Sequence, residues 1–298
     1  SLSTLQLPNG AFSWFDGMGE SRWVTQFIAE GLLKAREFTD INIINRMLGP
    51  AMNYLEGQIT KDYLQVKKQV KDYEKKMNIN SLQLHFLSLR TKINAPEISA
   101  DSKEAMVFYI KETEQYYNKF GLYDKALAAM ILHHANKPVA VDAIIKSLKE
   151  NSLRTTDKGM YWSKNTAGYR WNERPISVQV KLMEAFNLVP GNETELALMK
   201  IWLIRQKQTQ QWESPVASVN AIYALTGIGN NLLNNEQSFS ITAGKKTFDT
   251  NLGIPGTGYI KQTLAKEDIK EGITINRVNQ PETASDRKST RLNSSHRI

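Results

Sequence analysis

Residues 6–15 read QLPNGAFSWF, a loop of glycine and aromatic residues that directly precedes an amphipathic stretch at residues 21–36. Similar loops return at residues 159–171, GMYWSKNTAGYRW, and, with glutamine in place of glycine, at residues 206–212, QKQTQQW, each before another helical stretch. Glycine lets the chain turn tightly, and tryptophan fills the space at the end of a helix. Recurrence of this unit predicts helical hairpins arranged side by side in a ring or solenoid.

Around these loops, apolar residues recur three and four positions apart, which is the period of an amphipathic helix. The predicted helices cover residues 21–36, 43–55, 61–77, 82–89, 103–117, 124–134, 138–148, 175–186, 193–205 and 215–225. Pro50 falls inside the second of them, where proline can kink or divide a helix. No segment among these helices alternates as a strand would. Most of the helices have one wide apolar face, which must be buried against neighbouring helices.

After residue 235 the pattern changes to the alternation of β-strands. The predicted strands cover residues 238–242, 247–250, 259–264 and 272–278. Residues 253–258, GIPGTG, are interpreted as a turn between strands rather than as a phosphate-binding loop, because no helix follows them. So few strands rarely form a stable module by themselves. The sequence therefore predicts a mainly α fold that is followed by a truncated β module.

The 298 residues include 41% apolar residues and no cysteine. This composition supports a folded core and excludes the disordered, collagen-like and disulfide-stapled classes. Without cysteine, these residues hold no thiolate zinc site, iron–sulfur cluster, cysteine nucleophile or thioester. No apolar run reaches the roughly 18 residues that a membrane span requires. The first residue is Ser1 rather than methionine, so we expect the natural N-terminus to lie upstream.

The formal net charge is +8, from 38 basic and 30 acidic residues. Residues 286–298 resemble the in-frame translation of a common sequencing-adapter oligonucleotide, which predicts an artefactual, disordered tail. That tail holds four basic residues and one acidic residue, so residues 1–285 carry a net charge of +5. The densest basic stretch, residues 61–76, is interleaved with acidic residues, as is typical of the solvated face of a helix. We therefore predict no nucleic-acid partner.

Motifs that would indicate a catalytic or cofactor site are absent from the sequence. It contains no nucleophile elbow, no phosphate-binding loop and no H-E-x-x-H zinc motif. His133 and His134 end an alanine-rich helix, where the helix dipole favours histidine, and adjacent helical residues rarely share a metal. His85 lies in an apolar helix and is interpreted as a partly buried, hydrogen-bonded histidine. The sequence thus predicts no catalytic, cofactor-binding or metal-binding residue and no cofactor.

One enzyme hypothesis remains open, namely a carbohydrate-active lyase or hydrolase built on an α/α toroid. Glu173 would be its acid, and a second carboxylate such as Asp157 or Asp16 would have to face it. The aromatic residues that could stack against a sugar are Trp162, Tyr169 and Trp171. Under the alternative interpretation, the aromatic residues fill helix ends, and Glu173 precedes a helix start where negative charge is favoured.

Three segments, taken in order, resemble the bacterial alpha-2-macroglobulin-like proteins. They are residues 5–25, LQLPNGAFSWFDGMGESRWVT, residues 160–179, MYWSKNTAGYRWNERPISVQ, and residues 199–212, MKIWLIRQKQTQQW, with AIYAL at residues 221–225. The GTGY sequence at residues 256–259 also fits the β module that follows in that family. The resemblance extends over residues 1–285, and the order and spacing of the segments make it specific.

The resemblance implies an α/α toroid of stacked helical hairpins at residues 1–235, equivalent to the thioester domain of that family and incomplete at its N-terminus. It implies a partial β-sandwich module at residues 236–285, before the artefactual tail at residues 286–298. Members of the family are broad-range endopeptidase inhibitors, which trap a protease after it cuts an exposed bait segment.

The implied partners are therefore target proteases, bound through the full-length protein, and the implied location is the periplasm or cell envelope. A membrane link is implied only through a possible N-terminal lipid anchor outside this chain. The Cys–Gln thioester motif and the bait segment of the family would also lie outside it. In relatives with a thioester, a histidine can steer acyl transfer, and His85 is the one candidate here. We thus expect a structural and interaction module without catalysis of its own.

Overall fold

A computed structural model describes residues 2–36, 40–93, 99–168, 174–209, 212, 214–229, 238–243, 246–249 and 273–278. The chain divides into two compact units, Ser1–Gly229 and Asn230–Ile298, and each unit is considered by itself below. Among the described residues, the first unit contains nine α-helices and one short hairpin, and the second contains a three-stranded sheet. The mainly α fold class is confirmed.

The helices of the first unit follow the amphipathic stretches of the sequence closely. They are α1 (Arg22–Ala35), α2 (Ile41–Gln69), α3 (Ser81–Arg90), α4 (Ala100–Tyr116), α5 (Leu122–His134), α6 (Pro138–Glu150), α7 (Pro175–Asn187), α8 (Glu193–Thr209) and α9 (Pro215–Gly227). Side-chain caps begin several of them, because the first backbone N–H groups of a helix lack partners within it. Ser21 accepts a hydrogen bond from the N–H of Val24, and Asn80 forms a reciprocal capping box with Gln83.

The helix α2 differs from the prediction, since one continuous helix replaces the two predicted at residues 43–55 and 61–77. Pro50 lies inside it without ending it. The loop at residues 6–12 packs against the helical turn that contains Pro50, and Gln6 Nε2 donates to the carbonyl oxygen of Met47 over 2.8 Å. Gly10 packs so closely there that a Cβ atom on it would overlap the carbonyl oxygen of Pro50. The turn around the proline is thus held by tertiary contacts that the sequence pattern does not reveal.

The nine helices form a ring with two layers. The inner layer consists of α1, α3, α5, α7 and α9, and each of these helices packs against the next one in the series. The outer layer consists of α2, α4, α6 and α8, and each of these packs against the inner helix that precedes it. Lys34 near the end of α1 donates to Asn220 Oδ1 on α9 over 2.9 Å, so the first and last of these inner helices touch.

A short hairpin between α6 and α7 was not predicted. Its strands β1 (Leu153–Thr155) and β2 (Gly159–Tyr161) pair in antiparallel register, with Thr155 opposite Gly159. The prediction that no strand interrupts the helices was therefore wrong. The hairpin was missed because strands of three residues are too short to display an alternating pattern. The hairpin packs on α8, and Met160 and Trp162 are almost completely buried.

The second unit contains β3 (Ser238–Ala243), β4 (Lys246–Asp249) and β5 (Ile273–Val278). They form an antiparallel sheet in the order β4-β3-β5, in which Ile241 lies opposite both Phe248 and Ile275. These strands agree with the predicted strands at residues 238–242, 247–250 and 272–278. The predicted strand at residues 259–264 and the glycine-rich turn at residues 253–258 lie outside the described residues. The predicted module boundaries at residues 235 and 285 remain predictions.

Candidate functional site

Charged side chains meet in the middle of the ring. Glu30 and Lys34 come from α1, His85 from α3, and Lys181 and Glu184 from α7, and we call these five residues the axial cluster. Because α1 and α7 are not neighbours in the inner layer, contact between them crosses the centre of the ring. All five side chains are at most 12% exposed. Burial of so many ionisable groups is costly unless each has an oppositely charged or hydrogen-bonding partner.

The axial cluster satisfies this condition through Glu30. Its Oε1 lies 2.6 Å from Lys181 Nζ and 2.8 Å from Lys34 Nζ. Its Oε2 lies 2.9 Å from His85 Nε2. One carboxylate therefore joins α1 to both α3 and α7.

Glu184 completes the axial cluster as the second carboxylate that contacts Lys181. Its Oε2 lies 3.2 Å from Lys181 Nζ and 3.1 Å from Nζ of Lys92, which follows α3 and is 29% exposed. Its Oε1 lies 3.5 Å from Lys34 Nζ. The two buried carboxylates thus balance the two buried ammonium groups of Lys34 and Lys181, while Lys92 reaches in from solvent.

The electrostatics keep both carboxylates ionised. Burial alone would raise the pKa of Glu184, but the charges of Lys181, Lys92 and Lys34 outweigh it and lower that pKa to about 2. Burial is outweighed in the same way at Glu30, chiefly by Lys181 and Lys34, which hold its pKa well below the usual range. Burial would lower the pKa of Lys181, but Glu184 and Glu30 raise it well above the ordinary value. A glycosidase acid requires a raised carboxyl pKa, which is the opposite of what these glutamates have.

The axial cluster leaves little free space. The cavity beside it measures about 20 Å³ and is lined by Trp23, Phe27, Tyr123, Ser177 and Asn220 as well as by residues of the cluster. A space of this size holds roughly one water molecule. The centre of the ring is therefore filled by side chains that bind one another.

A larger cavity of about 510 Å³ lies between the start of α5, the end of α6 and the loop that follows β2. Its described lining includes a single carboxylate, Asp124, whose Oδ2 accepts a hydrogen bond from Ser81 Oγ over 2.8 Å. Its aromatic lining residues are Phe120, Tyr123 and Trp162, all less than 9% exposed. These rings are packed into the core, so they offer no free face to a sugar.

The residues of the enzyme hypothesis are only partly described by the structure. Glu173, Tyr169 and Trp171 lie outside the described residues. Trp162 is 2% exposed, and its indole N–H donates to the carbonyl oxygen of Leu148 at the end of α6 over 2.9 Å. The suggestion that Trp162 stacks against a sugar was therefore wrong, because the ring fills a helix end. Asp157 is exposed in the β1–β2 turn.

The tryptophans of the other two aromatic loops differ in burial. Trp212 is half-buried near the end of α8, and its indole N–H donates to the carbonyl oxygen of Leu203 over 3.4 Å. Trp14 is 55% exposed instead, and it stacks on Trp23 of α1 with the ring centroids 5.2 Å apart. Asp16 in the same loop is exposed. The expectation that tryptophan fills helix ends fits Trp162 and Trp212 and was wrong for Trp14.

The described histidines and the basic stretch at residues 61–76 show no sign of a shared site. His85 is 8% exposed and hydrogen-bonded, as the sequence predicted, and its partner is Glu30. His133 and His134 are exposed at the end of α5. In the basic stretch, Lys67 pairs with Glu104 on α4 at 3.1 Å, and both side chains are about half exposed. Among the described residues, no group of three or more His, Asp and Glu side chains could hold a metal ion.

Glu30, Lys34, Lys181 and Glu184 were not singled out from the sequence. A signal for them was present, because Lys181 and Glu184 stand three positions apart within the mainly apolar stretch VQVKLMEAF at residues 178–186. Glu30 and Lys34 likewise lie four positions apart beside Leu33. Opposite charges on the buried side of two helices indicate that the helices pair through those charges.

Comparison with protein families agrees with this architecture. The model of the A-macroglobulin TED domain matches residues 2–227. No curated protein matches the chain significantly. None of the helices that the structure describes is long and apolar enough to cross a bilayer. The family match spans most of the chain and the whole two-layered ring, and it agrees with the resemblance of the aromatic loops. The chain belongs to the alpha-2-macroglobulin-like proteins, and its first unit is their thioester domain, an α/α toroid.

Proposed function

We propose that this chain is part of a broad-range endopeptidase inhibitor that traps proteases after cleavage of a bait segment. The observation that carries this proposal is the match of residues 2–227 to the A-macroglobulin TED domain. The bait segment would lie outside this chain. The partners would be proteases that bind through the full-length protein.

We further propose that the toroid supports the inhibitor mechanically and has no catalysis of its own. The axial cluster favours this role, because its carboxylates are ionised and bound to lysines on other helices. A group held in this way has no proton to donate at neutral pH. The remaining space of about 20 Å³ beside the cluster is too small for a substrate.

The proposed location is the periplasm or the cell envelope. A membrane link would run through an N-terminal lipid anchor outside this chain. No nucleic-acid partner is proposed, because the net charge of +5 over residues 1–285 is spread along the chain.

The proposal is tested with the protein made from the full open reading frame. It is mixed with an endopeptidase, and cleavage of a large protein substrate is measured beside cleavage of a small chromogenic peptide. A protease enclosed by a trap loses access to large substrates but keeps its active site free. We therefore expect cleavage of the protein substrate to fall strongly and cleavage of the peptide to continue.

The control is the 298-residue chain alone, which should protect neither substrate. Equal loss of both activities would indicate an active-site inhibitor instead of a trap. No loss of either activity with several endopeptidases of different specificity would contradict the proposal.

A further inference from the structure

A polar network joins the first three helices around the carboxylate of Asp62 on α2. Arg22 Nη1, at the start of α1, lies 2.5 Å from Asp62 Oδ2, and Gln83 Nε2 on α3 donates to the same oxygen over 2.7 Å. Arg22 Nε also donates to Gln26 Oε1, one turn further along α1, over 3.2 Å. These bonds fix the orientation of the Arg22 guanidinium group.

Two polar atoms near this network have no hydrogen-bond partner among the described residues. They are Arg22 Nη2 and Tyr109 Oη on α4, and both atoms are buried. Tyr109 is fully buried, and the side chain of Arg22 is 15% exposed. Buried polar atoms in folded proteins nearly always bind a protein group or an ordered water, because an unpaired one costs folding free energy.

The surroundings of Tyr109 indicate which kind of partner fits. Burial and the nearby charges of Asp62 and Glu112 raise the pKa of Tyr109, while the charge of Arg22 lowers it. The hydroxyl group is therefore protonated and can donate a hydrogen bond, as Arg22 Nη2 can. Two carboxylates against one guanidinium group disfavour an anion as the acceptor. A neutral water molecule can accept both bonds and donate its own hydrogens to a carboxylate.

We propose that an ordered water molecule is bound at this place and links three helices. It accepts hydrogen bonds from Tyr109 Oη on α4 and Arg22 Nη2 on α1, and it donates to Asp62 on α2. Since α1 and α4 both pack on α2, the water adds a polar link to an apolar contact. The inference rests on contacts among the first four helices and does not depend on the proposed inhibitor function.

Thermal unfolding of the full chain, followed by far-UV circular dichroism, tests the site through the variant Tyr109→Phe. Loss of one buried hydrogen bond to the water should lower the Tm by about 2–4 °C. If the hydroxyl group were unpaired, its removal would raise the Tm instead. The matched control is Tyr73→Phe, which removes an exposed hydroxyl group 3.5 Å from Glu74 Oε1 and should leave the Tm nearly unchanged.

A second variant, Arg22→Lys, keeps a positive charge beside Asp62 but removes Nη2. Because both variants weaken the binding of one shared water, the double variant should lose less than the sum of the two single losses in Tm. A crystal structure of the unchanged protein should show the water about 3 Å from Tyr109 Oη and from Arg22 Nη2. A Tm that does not fall in Tyr109→Phe would overturn the proposal. So would additive losses, or a crystal structure in which Tyr109 bonds directly to Asp62.

Discussion

Gly159 at the start of β2 occupies a position that only glycine fits. Its φ of +76° is in the left-handed region, and a Cβ atom there would overlap the carbonyl oxygen of Leu198 and lie 2.8 Å from the backbone nitrogen of Trp202. The variant Gly159→Ala must therefore distort the backbone and also push β2 away from α8. We expect its unfolding free energy, measured by urea titration, to fall by about 3 kcal/mol.

A variant at Gly17 distinguishes the backbone strain from the steric overlap with α8. It has a similar φ of +79°, but a Cβ atom there would meet nothing within 4 Å. The variant Gly17→Ala should therefore lose only the backbone contribution, about 1 kcal/mol. Equal losses in the two variants would show that the close approach of β2 to α8 contributes nothing.

At the scale of single elements, the start of α4 depends on one cap. Ser99 Oγ accepts a hydrogen bond from the N–H of Ser102 over 3.1 Å. The variant Ser99→Ala removes this acceptor, and we expect its unfolding free energy to fall by about 1 kcal/mol in urea titration. The variant Ser99→Asp keeps an acceptor and should remain close to the original stability. If Ser99→Asp lost as much as Ser99→Ala, the cap would not be the cause.

The same local signals explain which elements could be predicted from the sequence. The starts of α6, α7 and α9 follow from proline in the first turn, and the apolar period of α1 is plain in the sequence. The continuity of α2 could not be predicted, because Pro50 is accommodated by the docked loop at residues 6–12. The strands β1 and β2 were missed because three residues carry no measurable period.

For the whole molecule, the family resemblance predicted the toroid, but no single helix predicted how the residues of the axial cluster pair with one another. Glu30 and Lys181 lie 151 positions apart in the chain and meet only when α1 and α7 pack in the folded protein. Read one helix at a time, the charged residues within an apolar stretch show that the helix buries charge but do not identify the partner helix. Only the pairing of α1 with α7 shows which charges neutralise one another.

The axial cluster makes the stability of the toroid sensitive to acid. The pKa of Glu184 is about 2 in the folded protein against an ordinary value of 4.5, so the unfolded chain takes up this proton first as the pH falls. The stabilisation is fully present above pH 5 and is lost as the pH approaches 2. We expect Glu184 to contribute about 3 kcal/mol to this loss of unfolding free energy, measured by urea titration at several pH values.

The variant Glu184→Gln tests that assignment, because it removes the titrating group and leaves Lys181 and Lys92 with fewer partners. It should be less stable than the original protein at pH 7, and its stability should fall less between pH 5 and pH 2. Glu104 is the matched control, since hydrogen bonds from Tyr63 and Lys67 lower its pKa as well, but its side chain is 53% exposed. Solvent screens such a pair, so Glu104→Gln should leave the acid profile almost unchanged. Parallel acid profiles for Glu184→Gln and the original protein would place the acid sensitivity elsewhere in the molecule.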